Sequence, residues 1–131
     1  IKLEITDSVL MQNPKTVLDA LEQLRAQGMQ VSIDDFGTGY SSLGYLKNLP
    51  VDILKIDRAF VKDIKSADDD LRILETILSL SRALELSVVA EGIETQQQAD
   101  CLAKLGTQYG QGYRFSAPLD SAAASALIRT N

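Results

Sequence analysis

Short apolar runs alternate with segments of helical periodicity along the chain. The apolar runs predict five β-strands, at residues 1–6, 30–34, 53–56, 87–90 and 109–115. Strands that are apolar and separated by helices are typical of a parallel sheet. The pattern therefore predicts an α/β fold.

Helices are predicted between these strands by the same periodicity and by start and stop signals. The longest covers about residues 68–86 and opens with three aspartates, because negative charge is favourable at a helix N-terminus. The others are predicted at residues 14–28, 41–50, 95–106 and 121–131. Gly28, Pro50 and Gly106 end the first three, and Asp120 or Ser121 caps the last.

Composition and charge narrow the function. The 131 residues suit one domain, and 13 basic against 18 acidic side chains give a net charge of −5. This balance argues against binding of polymeric nucleic acid through a basic face. The chain has no histidine, so nucleophiles that depend on histidine are excluded. A metal site would use mainly oxygen ligands, which suit Mg²⁺, Mn²⁺ or Ca²⁺.

The single Cys101 cannot form an internal disulfide, which fits a reducing compartment such as the cytoplasm. We expect it to be a small core residue on a helix. No apolar run is long enough to span a membrane, so we expect no membrane contact from this segment. The chain begins with IKLEIT, without an initiator Met, and we expect it to be part of a larger protein that other domains could anchor to a membrane.

Polar side chains gather on or after the C-terminal halves of the predicted strands, the edge where parallel α/β folds build active sites. They are Glu4, Asp34, Asp35, Lys55, Asp57, Glu91 and Gln111. Taken singly, Asp57 or Glu91 could be a helix cap or a loop residue, and Glu4 could face solvent.

The adjacent Asp34 and Asp35 are harder to explain by structure alone. Consecutive strand residues point to opposite faces, so both carboxylates converge only if the strand ends there and the backbone turns at residues 36–39. Acids gathered at one point repel unless cations intervene, and adjacent aspartates suit two divalent ions about 4 Å apart. Such sites usually cleave phosphoesters.

Lys55 allows two interpretations. Beside divalent cations it would hold its proton less tightly and could act as a base or orient an attacking water. It could equally be a lysine whose stem packs on the sheet and whose ammonium pairs with an acid.

Two architectures fit the strand and helix order. One is a five-stranded doubly wound sheet of the receiver type, which suits the length. The other is part of a (β/α)₈ barrel, whose complete form needs about 250 residues.

Five sequence blocks, in order, decide between them: LEIT, SIDDFGTGYSSL, LKIDRAFV, VVAEGIET and QGYRFSAPL. Together they closely resemble the C-terminal half of the EAL domain family, bacterial phosphodiesterases that hydrolyse cyclic di-GMP to linear pGpG. The resemblance implies strands four to eight of a TIM-like (β/α)₈ barrel. It also implies that residues 1–131 are the C-terminal portion of one EAL domain. A receiver is disfavoured because it places its paired acids after strand one and its lysine after strand five. Here the paired acids end strand two and the lysine lies in strand three.

The resemblance implies roles residue by residue. Metal ligands are Glu4, Asp34, Asp35, Asp57 and Glu91, with Asp35 shared between two ions and near the substrate. Lys55 lies near the catalytic water, Glu94 steadies the loop after Asp35, and Gln111 contacts substrate. That loop, which links the site to a dimer interface, comprises Phe36, Gly37, Thr38, Gly39, Tyr40, Ser41 and Ser42. The implied cofactors are two Mg²⁺ or Mn²⁺ ions, with Ca²⁺ as an inhibitory occupant.

Departures from the family pattern limit these expectations. The Glu-Ala-Leu motif and an asparagine ligand are absent, and Asp7 replaces a glutamate. We therefore expect the segment alone to be inactive. Its barrel would be completed by an N-terminal half or by a homodimer. The alternative is a non-catalytic cyclic di-GMP-binding or interaction module, against which the retained acids argue; a receiver-like signalling domain is more remote.

Overall fold

A computed structural model describes residues 1–36, 43–65 and 71–130. Within these ranges the chain forms one five-stranded parallel sheet in the order β1-β2-β3-β4-β5. The strands are β1 Lys2–Thr6, β2 Gln30–Phe36, β3 Ile53–Ile56, β4 Ser87–Ala90 and β5 Tyr109–Gly110.

The strand order distinguishes the two architectures. Each strand pairs with its neighbours in sequence, as consecutive strands do around a (β/α)₈ barrel. A receiver-type sheet would have the order 2-1-3-4-5. The receiver alternative is therefore wrong, and the prediction of five consecutive barrel units is confirmed.

Seven helices are present in the described ranges. They are α1 Asp7–Gln12, α2 Pro14–Ala26, α3 Leu43–Leu46, α4 Arg58–Val61, α5 Arg72–Ala83, α6 Gln96–Lys104 and α7 Ser121–Thr130. The sequence pattern missed the short helices α1 and α4. The predicted long helix begins later than expected, at Arg72, and its three opening aspartates lie outside the described residues. Asp120 does cap α7, since its Oδ1 accepts a hydrogen bond from the amide of Ala123 at 2.8 Å.

The two faces of the sheet have opposite character because side chains alternate along a strand. On one face, Val31, Ile33, Leu54, Ile56 and Val88 are at most 1% exposed and form the core against the helices. Cys101 is also buried there, as predicted. The opposite face lines a cavity of about 350 Å³ with polar groups, among them Glu4, Ser32 and Lys55.

The sheet edges and the C-terminal segment leave apolar side chains exposed. Leu3 on β1 and Tyr109 on β5 are 37% and 60% exposed, and Phe115 is 57% exposed. α7 has no buried residue. None of the helices in the described ranges has the length and hydropathy that crossing a membrane requires.

Candidate metal and phosphoester site

A bulge in β2 brings the two adjacent aspartates together. Ile33 pairs with Leu54 and Phe36 with Ile56, so Asp34 and Asp35 together lie opposite one residue of β3, as in a β-bulge. Asp35 has a φ of 56°, and its amide donates a hydrogen bond to Asp34 Oδ1 at 2.8 Å.

The predicted reason for this convergence was wrong. The strand does not end at Asp34 but continues to Phe36, and the bulge places both carboxylates. Phe36 itself is 7% exposed and belongs to the core. The rest of the predicted loop, residues 37–42, lies outside the described residues.

Asp34, Asp35 and Glu91 form the centre of the site. Each offers one carboxylate oxygen, and the three atoms lie within 4.8 Å of one another. Glu91 directly follows β4, so the acids come from the carboxyl ends of β2 and β4, the two parallel strands that flank β3. Three convergent oxygen donors fit a hard divalent cation such as Mg²⁺, Mn²⁺ or Ca²⁺.

Lys55 lies beneath this cluster, and its side chain is only 6% exposed. Its Nζ is 2.6 Å from Glu91 Oε1, 2.8 Å from Glu4 Oε1 and 3.8 Å from Asp34 Oδ2. Burial alone lowers the pKa of Lys55, but the hydrogen bonds to Glu4 and Glu91 outweigh it and raise the pKa above its usual value. In this arrangement Lys55 is an ammonium paired with acids.

The carboxylates perturb one another as well. Repulsion from Asp34 is the main reason that the pKa of Asp35 is raised, followed by burial and by a hydrogen bond with Asp57. For Glu91, burial raises the pKa and the nearby Asp34 and Glu4 add to it, while Lys55 opposes the shift. The raised pKa values of Asp35 and Glu91 mean that nearby positive charge does not fully offset the negative charge of these carboxylates. A bound cation would offset it.

Asp57 has a structural role at the start of α4. Its carboxylate caps α4, since Oδ1 accepts a hydrogen bond from the amide of Ala59 at 2.7 Å. Asp57 and Glu4 are not among the three residues whose oxygens converge. Glu4 instead pairs with Lys55, and its side chain is 54% exposed.

A cavity of about 380 Å³ opens beside the acid cluster. It brings together most of the remaining predicted site residues with others that the sequence did not single out. Its walls include Asp35, Asp57, Arg58, Glu91, Gly92, Glu94, Gln111, Gly112 and Tyr113.

Gln111 and Glu94 reach this cavity from loops. The predicted strand at residues 109–115 ends at Gly110, so Gln111 is a loop residue. Its backbone is nevertheless fixed, since its amide donates to the carbonyl of Ala90 at 2.8 Å and its carbonyl accepts from the amide of Ile93 at 3.1 Å. Glu94 is exposed, and its amide donates to Gln98 Oε1 at 2.8 Å.

Arg58 and Tyr113 are the lining residues that the sequence pattern did not identify. Both are exposed. Both are close in sequence to predicted site residues: Arg58 directly follows Asp57, and Tyr113 is two residues after Gln111. That adjacency was the available signal.

Comparison with known proteins identifies the family of the chain. The family model of the EAL domain matches residues 1–118. The cyclic di-GMP phosphodiesterase NbdA of Pseudomonas aeruginosa is 46% identical over 129 residues, which are 98% of this chain and 16% of NbdA. The chain thus spans about a sixth of the length of such curated relatives.

Solved structures show the same relationship. The phosphodiesterase MucR of Pseudomonas aeruginosa, in complex with c-di-GMP, superposes with a TM-score of 0.87 at 46% identity, over 94% of this chain and 50% of that chain. BlrP1 of Klebsiella pneumoniae, in a manganese and cy-diGMP complex, gives a TM-score of 0.80 at 33% identity, over 89% of this chain and 30% of that chain.

Proposed function

This chain belongs to the EAL domain family, and from that premise we propose that it is the C-terminal part of a metal-dependent phosphodiesterase that hydrolyses cyclic di-GMP to linear pGpG. The observation that carries the proposal is the convergence of Asp34, Asp35 and Glu91 above the buried Lys55. Such a cluster suits a phosphodiester and the cations that neutralise it.

Asp34, Asp35 and Glu91 would hold the cations. We further propose two ions, Mg²⁺ or Mn²⁺, with Asp35 shared between them and Glu4 and Asp57 completing the ligand set. Ca²⁺ would occupy the site without supporting turnover. When bound, such cations supply Lewis-acid activation of water and of the phosphate. The donor set supports this, because all its members are carboxylates and no nitrogen or sulfur ligand is among them.

Lys55 would orient the attacking water. Its ammonium is fixed by two short contacts, to Glu4 and to Glu91, so it can donate a hydrogen bond in one defined direction. Cations bound by Glu4 and Glu91 would compete for those oxygens and lower the affinity of Lys55 for its proton. Lys55 could therefore act as a general base only when the cations are bound.

Gln111 would bind substrate, and Glu94 would support the segment after Asp35. Both line the cavity beside the acid cluster, with Asp35. We place residues 36–42 in the coupling of the site to a dimer surface, and the protein in the cytoplasm.

The remaining barrel strands would come from an N-terminal half of the domain or from a second copy of the chain. The exposed apolar groups at both sheet edges, such as Leu3 on β1 and Tyr109 on β5, support this. Unpaired strand edges with exposed apolar side chains favour association. The 131-residue chain alone would then be inactive.

The test is to incubate the full-length protein with cyclic di-GMP and Mg²⁺ or Mn²⁺, and to separate the products by chromatography. Formation of pGpG that stops on chelation supports the proposal. Binding without turnover would show a non-catalytic receptor instead, and neither binding nor turnover would refute the proposed substrate.

A further inference from the structure

Arg58 is a cation in the wall of the acidic cavity, and the proposed mechanism gives it no task. It directly follows Asp57 and begins α4, and its side chain is exposed. It lines the same cavity of about 380 Å³ as Asp35, Glu91 and Gln111. Among the described residues that line this cavity, it alone carries a positive charge.

The fold does not explain a cation at this position. Within residues 1–36, 43–65 and 71–130, Arg58 makes no ion pair.

The loop after β4 packs closely against the Cα and Cβ of Arg58. A Cβ added at Gly92, whose φ is 74°, would lie 3.2 Å from the Cα of Arg58 and even closer to its Cβ. Only glycine allows the loop that carries Glu91 to approach α4 this closely. The backbone of Arg58 is thus held against the site.

We propose that Arg58 binds a phosphate oxygen of the substrate, at the phosphodiester that is not being hydrolysed. This inference rests on the proposed function, because cyclic di-GMP carries two anionic phosphodiesters. One would lie at the cations of Asp34, Asp35 and Glu91. The other would face the part of the cavity lined by Asp57 and Glu94, whose carboxylates would repel it. A guanidinium offsets that repulsion and can hold phosphate with two parallel hydrogen bonds.

Lys62 provides a matched control. It lies one turn further along the chain, at the C-cap of α4, and is exposed. It does not line the cavity. Replacing Lys62 therefore removes the same charge from the same segment without removing a group from the site.

The experiment compares the full-length wild-type protein with Arg58→Ala, Arg58→Lys and Lys62→Ala. Binding of cyclic di-GMP is measured by calorimetry with Ca²⁺, and kcat and KM are measured with Mn²⁺. Arg58→Ala raises Kd and KM by about 10- to 100-fold, the effect of losing a hydrogen bond to a charged group. Its kcat stays within about threefold of wild type, Arg58→Lys recovers part of the affinity, and Lys62→Ala matches wild type.

Two results would overturn the inference while leaving the proposed function intact. One is an Arg58→Ala variant with wild-type Kd and KM. The other is a variant in which kcat or the Mn²⁺ requirement changes and KM does not, because that would make Arg58 a counter-charge for the carboxylates. If wild-type protein neither binds nor hydrolyses cyclic di-GMP, the proposed function fails and this inference fails with it.

Discussion

The ammonium of Lys55 lies 2.6 Å from the carboxylate of Glu91, joining the centre of β3 to the end of β4. The same ammonium reaches Glu4 on β1 at 2.8 Å. One buried cation therefore connects acids from strands on both sides of β3. Its loss would affect both the charge balance of the site and its chemistry.

Replacing Lys55 should abolish most of the activity. Lys55→Met removes the group that we propose to orient water, so we expect kcat to fall by about 10²- to 10⁴-fold, the usual contribution of a positioned acid–base group. Lys55→Arg keeps the charge and shows how much of the loss is due to geometry. Steady-state assays of full-length protein would measure both. Retention of wild-type kcat in Lys55→Met would exclude a catalytic role.

Asp35→Asn should have opposite effects on stability without and with divalent cations. Without them, the variant should melt at a higher temperature than wild type at neutral pH, because repulsion from Asp34 raises the pKa of Asp35 and its charge is unfavourable. With Mn²⁺ it should melt lower than wild type, because a proposed ligand of the ion is lost. Saturation at 100 times Kd stabilises a protein by about 2.7 kcal/mol.

Thermal unfolding with EDTA or Mn²⁺ would measure this reversal. Asp19→Asn, on the exposed part of α2, is the control that removes a carboxylate elsewhere. Equal Mn²⁺ stabilisation of wild type and Asp35→Asn would show that Asp35 is not a ligand.

Two substitutions at Asp57 should separate its structural role from its charge. Asp57→Ala removes the cap of α4 and should cost about 1 kcal/mol of stability. Asp57→Asn keeps an oxygen that can accept from the Ala59 amide, so its stability should stay near wild type. If Asp57 is a metal ligand, the asparagine variant still loses activity. Denaturant unfolding and activity assays together test this, and wild-type activity in Asp57→Asn would leave only the cap.

The isolated chain should not persist as a monomer. Leu3, Tyr109 and Phe115 are exposed on or near the two edge strands, so the 14.3 kDa chain should associate with itself or with an added N-terminal half of an EAL domain. Size-exclusion chromatography with intact-mass measurement would show this. A stable, well-folded 14.3 kDa monomer would contradict it.

The sequence predicted the strands that are set by short apolar runs. β3 and β4 occupy the predicted residues 53–56 and 87–90, because both are short apolar runs in the centre of the sheet. The bulge at Asp34 and Asp35 was not predictable, since it arises only when β2 pairs with β3. The pattern also overextended β5, where the chain leaves the sheet after Gly110.

Site residues were predictable as a group, but their partners were not. The carboxyl ends of parallel strands meet at one edge, so strand position alone identified Asp34, Lys55 and Glu91 as candidate site residues. Which carboxylates contact Lys55 depends on rotamers and strand twist that the sequence does not state. Arg58 was missed because its only local signal was its position directly after Asp57, and the sequence pattern did not predict the short helix that it begins.

The most direct test of the central claim is single-turnover conversion of cyclic di-GMP by the full-length protein in excess, with Mn²⁺, compared between wild type and Asp34→Asn. We expect complete conversion to linear pGpG by wild type, and a rate at least about 10²-fold lower in the variant, the effect of removing a group that stabilises transition-state charge. Absence of pGpG with wild type, or equal rates in the two proteins, would contradict it.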